Sequence, residues 1–130
     1  MSLVFVYGTL KRGYGNNRLL QNATFIDEGQ TIARCRLFNS GFPVLRRRLN
    51  RDGPWNAPVR GEVFEVNDAE TMRALDSLEG EGRMYHRRRK KIRLDNGQTI
   101  MAYAYVGDAR AFRHCRIYPS PVGAYEWSRL

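Results

Sequence analysis

A long hairpin in the second half of the chain constrains the fold more than any other feature. Residues 84–94 resemble a strand, residues 99–106 resemble its partner, and Asp95-Asn96-Gly97 between them supplies turn chemistry. The second run alternates with a period of two, which is the spacing of a strand with two different faces. One face carries Met101, Tyr103 and Tyr105, and the other carries Ile100, Ala102 and Ala104. The pattern predicts two antiparallel strands and therefore a sheet.

The rest of the chain adds further short strands and few helices. A short helix is predicted to end at Gln21, with Asn16 or Asn17 as its cap. A longer helix is predicted over residues 67–80, with Asn67 and Glu70 at the spacing of a capping box. Loops are predicted for the Arg-, Asn-, Gly- and Pro-rich stretch 46–58 and for the C-terminal piece 110–130. The remaining strands are predicted at residues 3–7, 24–31, 32–38, 42–45 and 60–66. This order favours an α+β fold, a small mixed and mostly antiparallel sheet that curls toward a barrel flanked by helices.

Composition restricts the class of protein. A length of 130 residues suggests one domain, spanning residues 1–130, and contents of 42% hydrophobic and 27% charged residues are ordinary for a soluble globular protein. No apolar run approaches the roughly 20 residues of a membrane span, and the N-terminus lacks the features of a signal peptide. Cys35 and Cys115 make no disulfide framework, and His86 and His114 are too few for a zinc site. We therefore expect a cytoplasmic protein without membrane contact, metal or cofactor.

Glu79 occupies an unusual position at the end of the predicted helix. Ala69, Met72, Leu75 and Leu78 form an apolar stripe, and Glu79 projects from the same face because it lies four residues after Leu75. Loss of solvation and the negative end of the helix dipole both disfavour a charged carboxylate there, so we expect a pKa near neutrality, as a general acid/base needs. The alternative is a last-turn side chain that turns out to water.

The end of the first strand, Val6-Tyr7-Gly8-Thr9-Leu10, is a second candidate. A strand that turns sharply at a glycine presents successive backbone N–H groups, which can bind an anion such as a carboxylate. An ordinary turn between strand and loop is the other interpretation.

In combination these segments resemble a known family. The string from Val6 to Gly13, then Leu75-Asp76-Ser77-Leu78-Glu79-Gly80 and Tyr85, resembles the gamma-glutamylcyclotransferase-like family in order and spacing. The segment Arg60-Gly61-Glu62-Val63-Phe64 belongs to the same pattern, and Pro119-Ser120-Pro121 with Tyr125 matches it more faintly.

The resemblance implies a small barrel of mixed strands and an enzyme that cyclises a gamma-glutamyl amide to 5-oxoproline and a free amine. It implies that Glu79 is the catalytic acid/base, and that Tyr7, Gly8, Thr9 and Leu10, with Lys11 beside them, hold the gamma-glutamyl group. A downstream tyrosine would complete the pocket, with Tyr125 as first candidate before Tyr85 and Tyr118. Tyr7 and Tyr125 are equally consistent with core tyrosines whose hydroxyls are satisfied. The family's leaving amines differ, so the partner is a small gamma-glutamyl amine or peptide of unspecified kind.

Two other function classes remain open. The net charge of +9 and the run Arg87-Arg88-Arg89-Lys90-Lys91 beside Tyr85 are compatible with a nucleic-acid-binding module. As a strand, however, this run divides its charges between two faces, which favours a solvated basic edge over a binding surface. The cluster of Arg46-Arg47-Arg48 and Arg51 has no family counterpart; it is interpreted as a solvated loop face, and contact with an acidic leaving group is the alternative. A relative that keeps the fold as a non-catalytic ligand-binding protein is the third class, which the presence of Glu79 disfavours.

Overall fold

The computed structural model describes residues 1–39, 42–48, 56–113, 115–117 and 124–127. The chain forms one α-helix, one 3₁₀ helix and eight strands within these ranges. The strands are β1 (Ser2–Val6), β2 (Thr24–Thr31), β3 (Cys35–Asn39), β4 (Pro43–Arg47), β5 (Arg60–Val66), β6 (Tyr85–Leu94), β7 (Thr99–Gly107) and β8 (Arg116–Ile117). The 3₁₀ helix spans Gly15–Leu20, and α1 spans Ala69–Glu79.

Five of these strands close into a barrel. The order β1-β5-β2-β6-β7 is antiparallel throughout, and a parallel pairing of Val4 with Tyr103 joins β1 to β7. The strands β4, β3 and β8 continue outward from β7, beginning with a parallel pairing of Leu45 with Val106. The predicted α+β barrel of mixed, mostly antiparallel strands is therefore confirmed, and the hairpin of β6 and β7 is its longest pair.

The core has two layers, and β1 lies between them with both of its faces buried. Phe5 points into the barrel, while Val4 and Val6 point outward toward α1 and meet Leu75 there. A strand covered on both faces is a continuous apolar run, as Leu3-Val4-Phe5-Val6 is. The position of β1 between the two layers brings its C-terminal end against the C-terminal end of α1.

The helix differs in detail from its prediction. Asp68, and not Asn67, is the N-cap, because the first helical residue is Ala69 and the Asp68 carboxylate accepts from the Thr71 N–H at 2.9 Å. The buried face runs through Thr71 and Leu75 toward Glu79, at steps of four residues, whereas Ala69 and Leu78 are exposed. The predicted stripe was therefore wrong at these two positions, although it placed Glu79 on the correct side.

Two predictions for the connecting segments were also wrong. Arg46 and Arg47 belong to β4 and not to a loop, since they pair with Arg36 and Cys35 of β3. Neither Asn16 nor Asn17 caps the 3₁₀ helix, because both lie inside it after the cap residue Tyr14. Residues 49–55 of the predicted loop, and residues 114, 118–123 and 128–130 of the C-terminal piece, lie outside the described residues.

Candidate active site

A cavity of about 270 Å³ opens where β1 ends and α1 ends. The turn after β1 forms one wall, the last turn of α1 forms another, and β4, β6 and β7 contribute side chains to the rest. Six of the eight predicted site residues line it, namely Tyr7, Gly8, Thr9, Leu10, Glu79 and Tyr85. The other lining residues are Phe5, Val6, Asn16, Phe42, Pro43, Leu78, Met84 and Tyr105. The fold thus brings together two segments that are seventy residues apart in sequence.

Glu79 is the one charged side chain among the described residues that line this cavity. It is the last residue of α1, and Gly80 ends the helix in the left-handed conformation with φ 59°, a conformation that favours glycine. Burial raises the pKa of the Glu79 carboxyl to about 7. The expected shift toward neutrality is confirmed, and desolvation is its cause.

The turn after β1 exposes backbone donors to the cavity. Within the described part of the chain, the N–H groups of Gly8, Thr9 and Leu10 donate to no protein acceptor. Asn16 holds this turn in place, since its N–H donates to the Thr9 carbonyl at 3.1 Å and its side-chain amide donates to Thr9 Oγ1 at 2.8 Å. Asn17 adds a hydrogen bond to the Leu10 carbonyl at 2.9 Å. The two asparagines therefore hold the turn after β1 in place instead of capping a helix.

Tyr7 lines the cavity with its ring, while its hydroxyl is fully used within the protein. The hydroxyl donates to the Tyr105 carbonyl at 2.6 Å and accepts from the Leu45 N–H at 3.1 Å. It thereby joins β1, β4 and β7 at the point where the barrel closes. Burial raises the pKa of Tyr7 well above its ordinary value, so the hydroxyl stays protonated. Its polar group is structural, as one of the two sequence-based interpretations allowed.

Of the downstream tyrosines predicted to complete the pocket, Tyr85 is the one that lines the cavity within the described residues. Its hydroxyl donates to the Pro43 carbonyl over 3.3 Å, a long hydrogen bond, and its ring packs on Phe112 with centroids 5.1 Å apart. Burial, followed by the nearby Glu79 charge, raises the pKa of Tyr85 above its ordinary value. This hydroxyl remains a neutral donor at physiological pH.

Lys11 and Tyr125 are predicted site residues that the structure places elsewhere. Lys11 Nζ donates to the Trp127 carbonyl at 2.6 Å, because the chain turns away from the cavity after Leu10. Tyr125 lies in the barrel-interior core beside Val59, with which it forms a bridge. Neither lines the cavity. The third candidate, Tyr118, lies outside the described residues.

Tyr105 is a cavity residue that the sequence analysis did not single out. It lies on β7, and its hydroxyl donates to Asp76 Oδ1 at 2.6 Å. Burial, and then the hydrogen bond with Asp76, raise the pKa of Tyr105 above its ordinary value. The alternation of β7 places Tyr105 on one face with Met101 and Tyr103. Only the packing of α1 against that face shows that Tyr105 lines the cavity.

A buried carboxylate anchors the far end of the turn after β1. Glu62 on β5 is 7% exposed, and it accepts from the Arg12 N–H at 2.8 Å and from Arg12 Nε at 3.3 Å. The Arg12 guanidinium in turn lies 3.6 Å from the centroid of the Phe25 ring. Charge-assisted hydrogen bonds of this kind are strong enough to fix a loop.

We expect Glu62→Gln to raise KM by about 3–10-fold with kcat changed less than about threefold, because the loosened turn binds substrate less well in ground and transition state alike. Steady-state kinetics would measure this. Glu65→Gln is the matched control, since Glu65 lies on the same strand but contacts Asn67. An equal rise in KM in both variants, or a loss confined to kcat, would contradict the anchoring role.

The basic run lies on β6 and divides its charges as its alternation predicts. Arg87 and Arg89 face Tyr103 on the outer side of the sheet, at 5.2 and 5.9 Å from its ring centroid. Arg88 and Lys90 pair with Ala104 and Ala102, whose side chains face the barrel interior. Arg87 also forms an ion pair with Asp76 at 2.8 Å. Part of the positive charge is therefore used in contacts within the protein.

The described ranges contain no group of three or more His, Cys, Asp and Glu side chains that could hold a metal ion. Among the same residues, no helix combines the length and the apolar character needed to cross a bilayer.

Comparison with known proteins identifies the class to which this barrel and cavity belong. Residues 4–128 match the family model described as gamma-glutamyl cyclotransferase, AIG2-like. The chain belongs to this family, and it is an enzyme of the gamma-glutamylcyclotransferase kind.

Particular relatives agree with this assignment. The chain is 34% identical over 108 residues to a putative gamma-glutamylcyclotransferase of Methanocaldococcus jannaschii, covering 81% of this chain and 83% of the relative. It is 32% identical over 135 residues to human gamma-glutamylaminecyclotransferase, covering 100% of this chain and 86% of the relative. The crystal structure of a mouse AIG2-like protein superposes with a TM-score of 0.73 at 27% identity, covering 94% of this chain and 88% of that one.

Proposed function

We propose that the protein converts a gamma-glutamyl amide into 5-oxoproline and a free amine, with Glu79 as general acid/base. The observation that carries this proposal is a carboxyl with a pKa of about 7 in the same cavity as the donor-rich turn Gly8–Leu10. A general base works best when its pKa lies near the working pH. The relatives named as gamma-glutamyl- and gamma-glutamylaminecyclotransferases support the reaction class.

The reaction needs one proton carrier and no external nucleophile. The substrate's α-amine attacks its own γ-carbonyl, so a C–N bond forms and closes a five-membered ring. Ionised Glu79 takes a proton from the attacking amine. The protonated carboxyl then gives a proton to the departing nitrogen as the original amide C–N bond breaks. Because nucleophile and electrophile belong to one molecule, holding the substrate curled supplies much of the rate.

The turn after β1 would bind the negative charges of the substrate. The described lining contains no Lys or Arg, so the N–H groups of Gly8, Thr9 and Leu10 are its available donors for a carboxylate or a developing oxyanion. Thr9 adds a further donor, because Asn16 donates to Thr9 Oγ1 and thereby leaves the hydroxyl proton free to point elsewhere. On the opposite wall the Tyr85 hydroxyl gives its one proton to the Pro43 carbonyl, so the donors for these charges come from the turn.

The amine product would leave the cavity along an edge formed by apolar side chains. Phe42, Leu78 and Met84 line the cavity and are each about 40% exposed. These three side chains offer no charge to a leaving amine, so they do not indicate whether that amine is charged. The substrates tested should therefore include both uncharged and charged amines.

Product analysis tests the proposal. The protein should release 5-oxoproline and one equivalent of amine from gamma-glutamyl alkylamides, gamma-glutamyl-lysine or gamma-glutamyl dipeptides, measured by mass spectrometry. Two control substrates define the mechanism: the α-linked glutamyl isomer has no γ-amide, so ring closure cannot expel its amine, and the N-acetylated gamma-glutamyl amide lacks the nucleophile. Both should be inert. Amine release from the N-acetylated compound would indicate hydrolysis, and no turnover of any gamma-glutamyl amide would refute the proposal.

A further inference from the structure

Asp76 connects the helix that carries Glu79 to the barrel. It lies three residues before Glu79 on α1, so its side chain is one helical turn away. Its carboxylate accepts from the Tyr105 hydroxyl at 2.6 Å and from Arg87 Nη1 at 3.0 and 2.8 Å. These contacts join α1 to β7 and β6 through charge-assisted hydrogen bonds, which are short and strong.

The backbone of Asp76 also holds the turn that contains Glu79. Its carbonyl accepts from the Gly80 N–H and, at 3.0 Å, from the Glu81 N–H. The two residues that follow Glu79 are thereby tied to the Asp76 carbonyl, and the Asp76 side chain is tied to the sheet. A shift of the Asp76 side chain would therefore move the Glu79 carboxyl relative to the cavity.

Tyr105 reaches the other half of the site as well. Its carbonyl accepts from the Tyr7 hydroxyl at 2.6 Å, next to the turn proposed to bind substrate, while its own hydroxyl binds Asp76. A single residue of β7 thus connects the anion-binding turn with the acid/base helix. Tyr105 belongs to neither of the two sequence motifs that suggested the site.

We propose that Tyr105 and Asp76 are positioning residues that set the distance between the Glu79 carboxyl and the substrate-binding turn. The expected loss of reaction rate in variants of these residues rests on the function proposed above. The expected change in the pKa of Glu79 does not, because that pKa is a property of the folded protein.

The surroundings of Glu79 define what a displacement would change. Titratable groups facing the cavity come from three strands: Tyr7 at the end of β1, Tyr85 on β6 and Tyr105 on β7. All three have raised pKa values and stay neutral, so they leave burial as the dominant influence on Glu79. Asp76 and Arg87 neutralise each other beside the cavity. If the last helical turn loosens, water reaches Glu79 and its pKa falls toward its ordinary value.

Tyr105→Phe tests the proposal, because it removes the hydroxyl and keeps both the ring and the carbonyl. We expect kcat for 5-oxoproline release to fall about 10–100-fold with KM changed less than about threefold, as is typical of a misplaced catalytic group. The acid limb of the kcat–pH profile should move to lower pH, and NMR titration of the Glu79 side-chain carbon should show the same downward shift. Asp76→Asn is the second variant, and it should also lower the pKa of Glu79.

Tyr103→Phe is the matched control, since Tyr103 lies two residues earlier on the same face of β7 and contacts Arg87 and Arg89 through its ring. It should leave kcat, KM and the Glu79 titration unchanged. Equal kinetics and equal Glu79 titrations in the Tyr105→Phe, Tyr103→Phe and wild-type proteins would overturn the proposal. If the wild type lacks cyclotransferase activity, the proposed function fails, and the NMR titration alone still decides the positioning role.

Discussion

Glu79→Gln should lower the rate of 5-oxoproline release by about 10²–10⁴-fold, the usual contribution of a general acid/base. The amide has nearly the same shape as the carboxyl, so substrate binding should change little and the loss should appear in kcat. Rates measured with saturating gamma-glutamyl amide would show it. Glu70→Gln is the control, because Glu70 lies in the first turn of the same helix on its exposed face. Equal activity in wild type and Glu79→Gln would exclude Glu79 as the base.

The pH dependence of the wild type follows from the same carboxyl. Glu79 must be ionised to accept a proton, and its pKa is about 7. The kcat–pH profile should therefore rise through about pH 7 and then level off, instead of rising near the ordinary carboxyl value. An acid limb centred near pH 4.5, the ordinary value for this group, would show that the working base is hydrated and differs from the buried carboxyl described here.

Stability should change in the opposite direction to activity. The folded state binds the Glu79 proton more tightly than the unfolded state does, so the free energy of unfolding falls as pH rises from 4.5 to about 7. Ionising Glu79 in its half-buried position then costs on the order of 3 kcal/mol at higher pH. Glutamine does not ionise, so the Glu79→Gln protein should be as stable as the wild type below pH 4.5 and more stable above pH 7 in thermal melts. This outcome would separate loss of catalysis from loss of folding.

The fold was largely predictable because its elements have strong local signals. The strand Arg60–Val66 matches its predicted range, and the hairpin of β6 and β7 differs from its prediction by one residue at each outer end. The closure of the barrel was not visible in the same way. It depends on a parallel pairing of Val4 with Tyr103, two residues far apart in sequence, for which no local pattern exists.

The site was predictable where a sequence motif lies at the end of a strand or a helix. Gly8 and Glu79 mark the ends of β1 and α1, and the two ends meet in one cavity. Lys11 follows the motif directly, yet the turn carries it away to the Trp127 carbonyl. Tyr105 depends on the way α1 packs against β7, which is a tertiary contact. The predicted residues at element ends thus come together in one cavity, whereas the contacts of Lys11 and Tyr105 depend on packing directions that the sequence does not show.

Gly8→Ala should disrupt the turn after β1, proposed above to bind substrate, through a steric contact with β4. A Cβ at residue 8 would lie 2.6 Å from Pro43 Cγ and 3.2 Å from Pro43 Cδ. The proline ring cannot swing aside, because it is closed onto its own backbone and Pro43 pairs with Asn39 in the sheet. The turn must therefore move, and its N–H groups move with it. We expect kcat/KM to fall about 10–100-fold, since a displacement of about 1 Å between bound substrate and base has that effect.

Gly15→Ala provides the comparison that assigns this loss to the contact with Pro43. Gly15 begins the 3₁₀ helix shortly after the same turn, and a Cβ there meets no atom within 4 Å. Its kcat/KM should equal the wild-type value, and its stability should be equal or slightly higher, because alanine restricts the unfolded chain. Gly8→Ala should also lose about 1–3 kcal/mol of stability, the usual cost of overpacking. If Gly8→Ala retains wild-type kcat/KM, the turn tolerates the displacement and its N–H groups do not hold the reacting substrate.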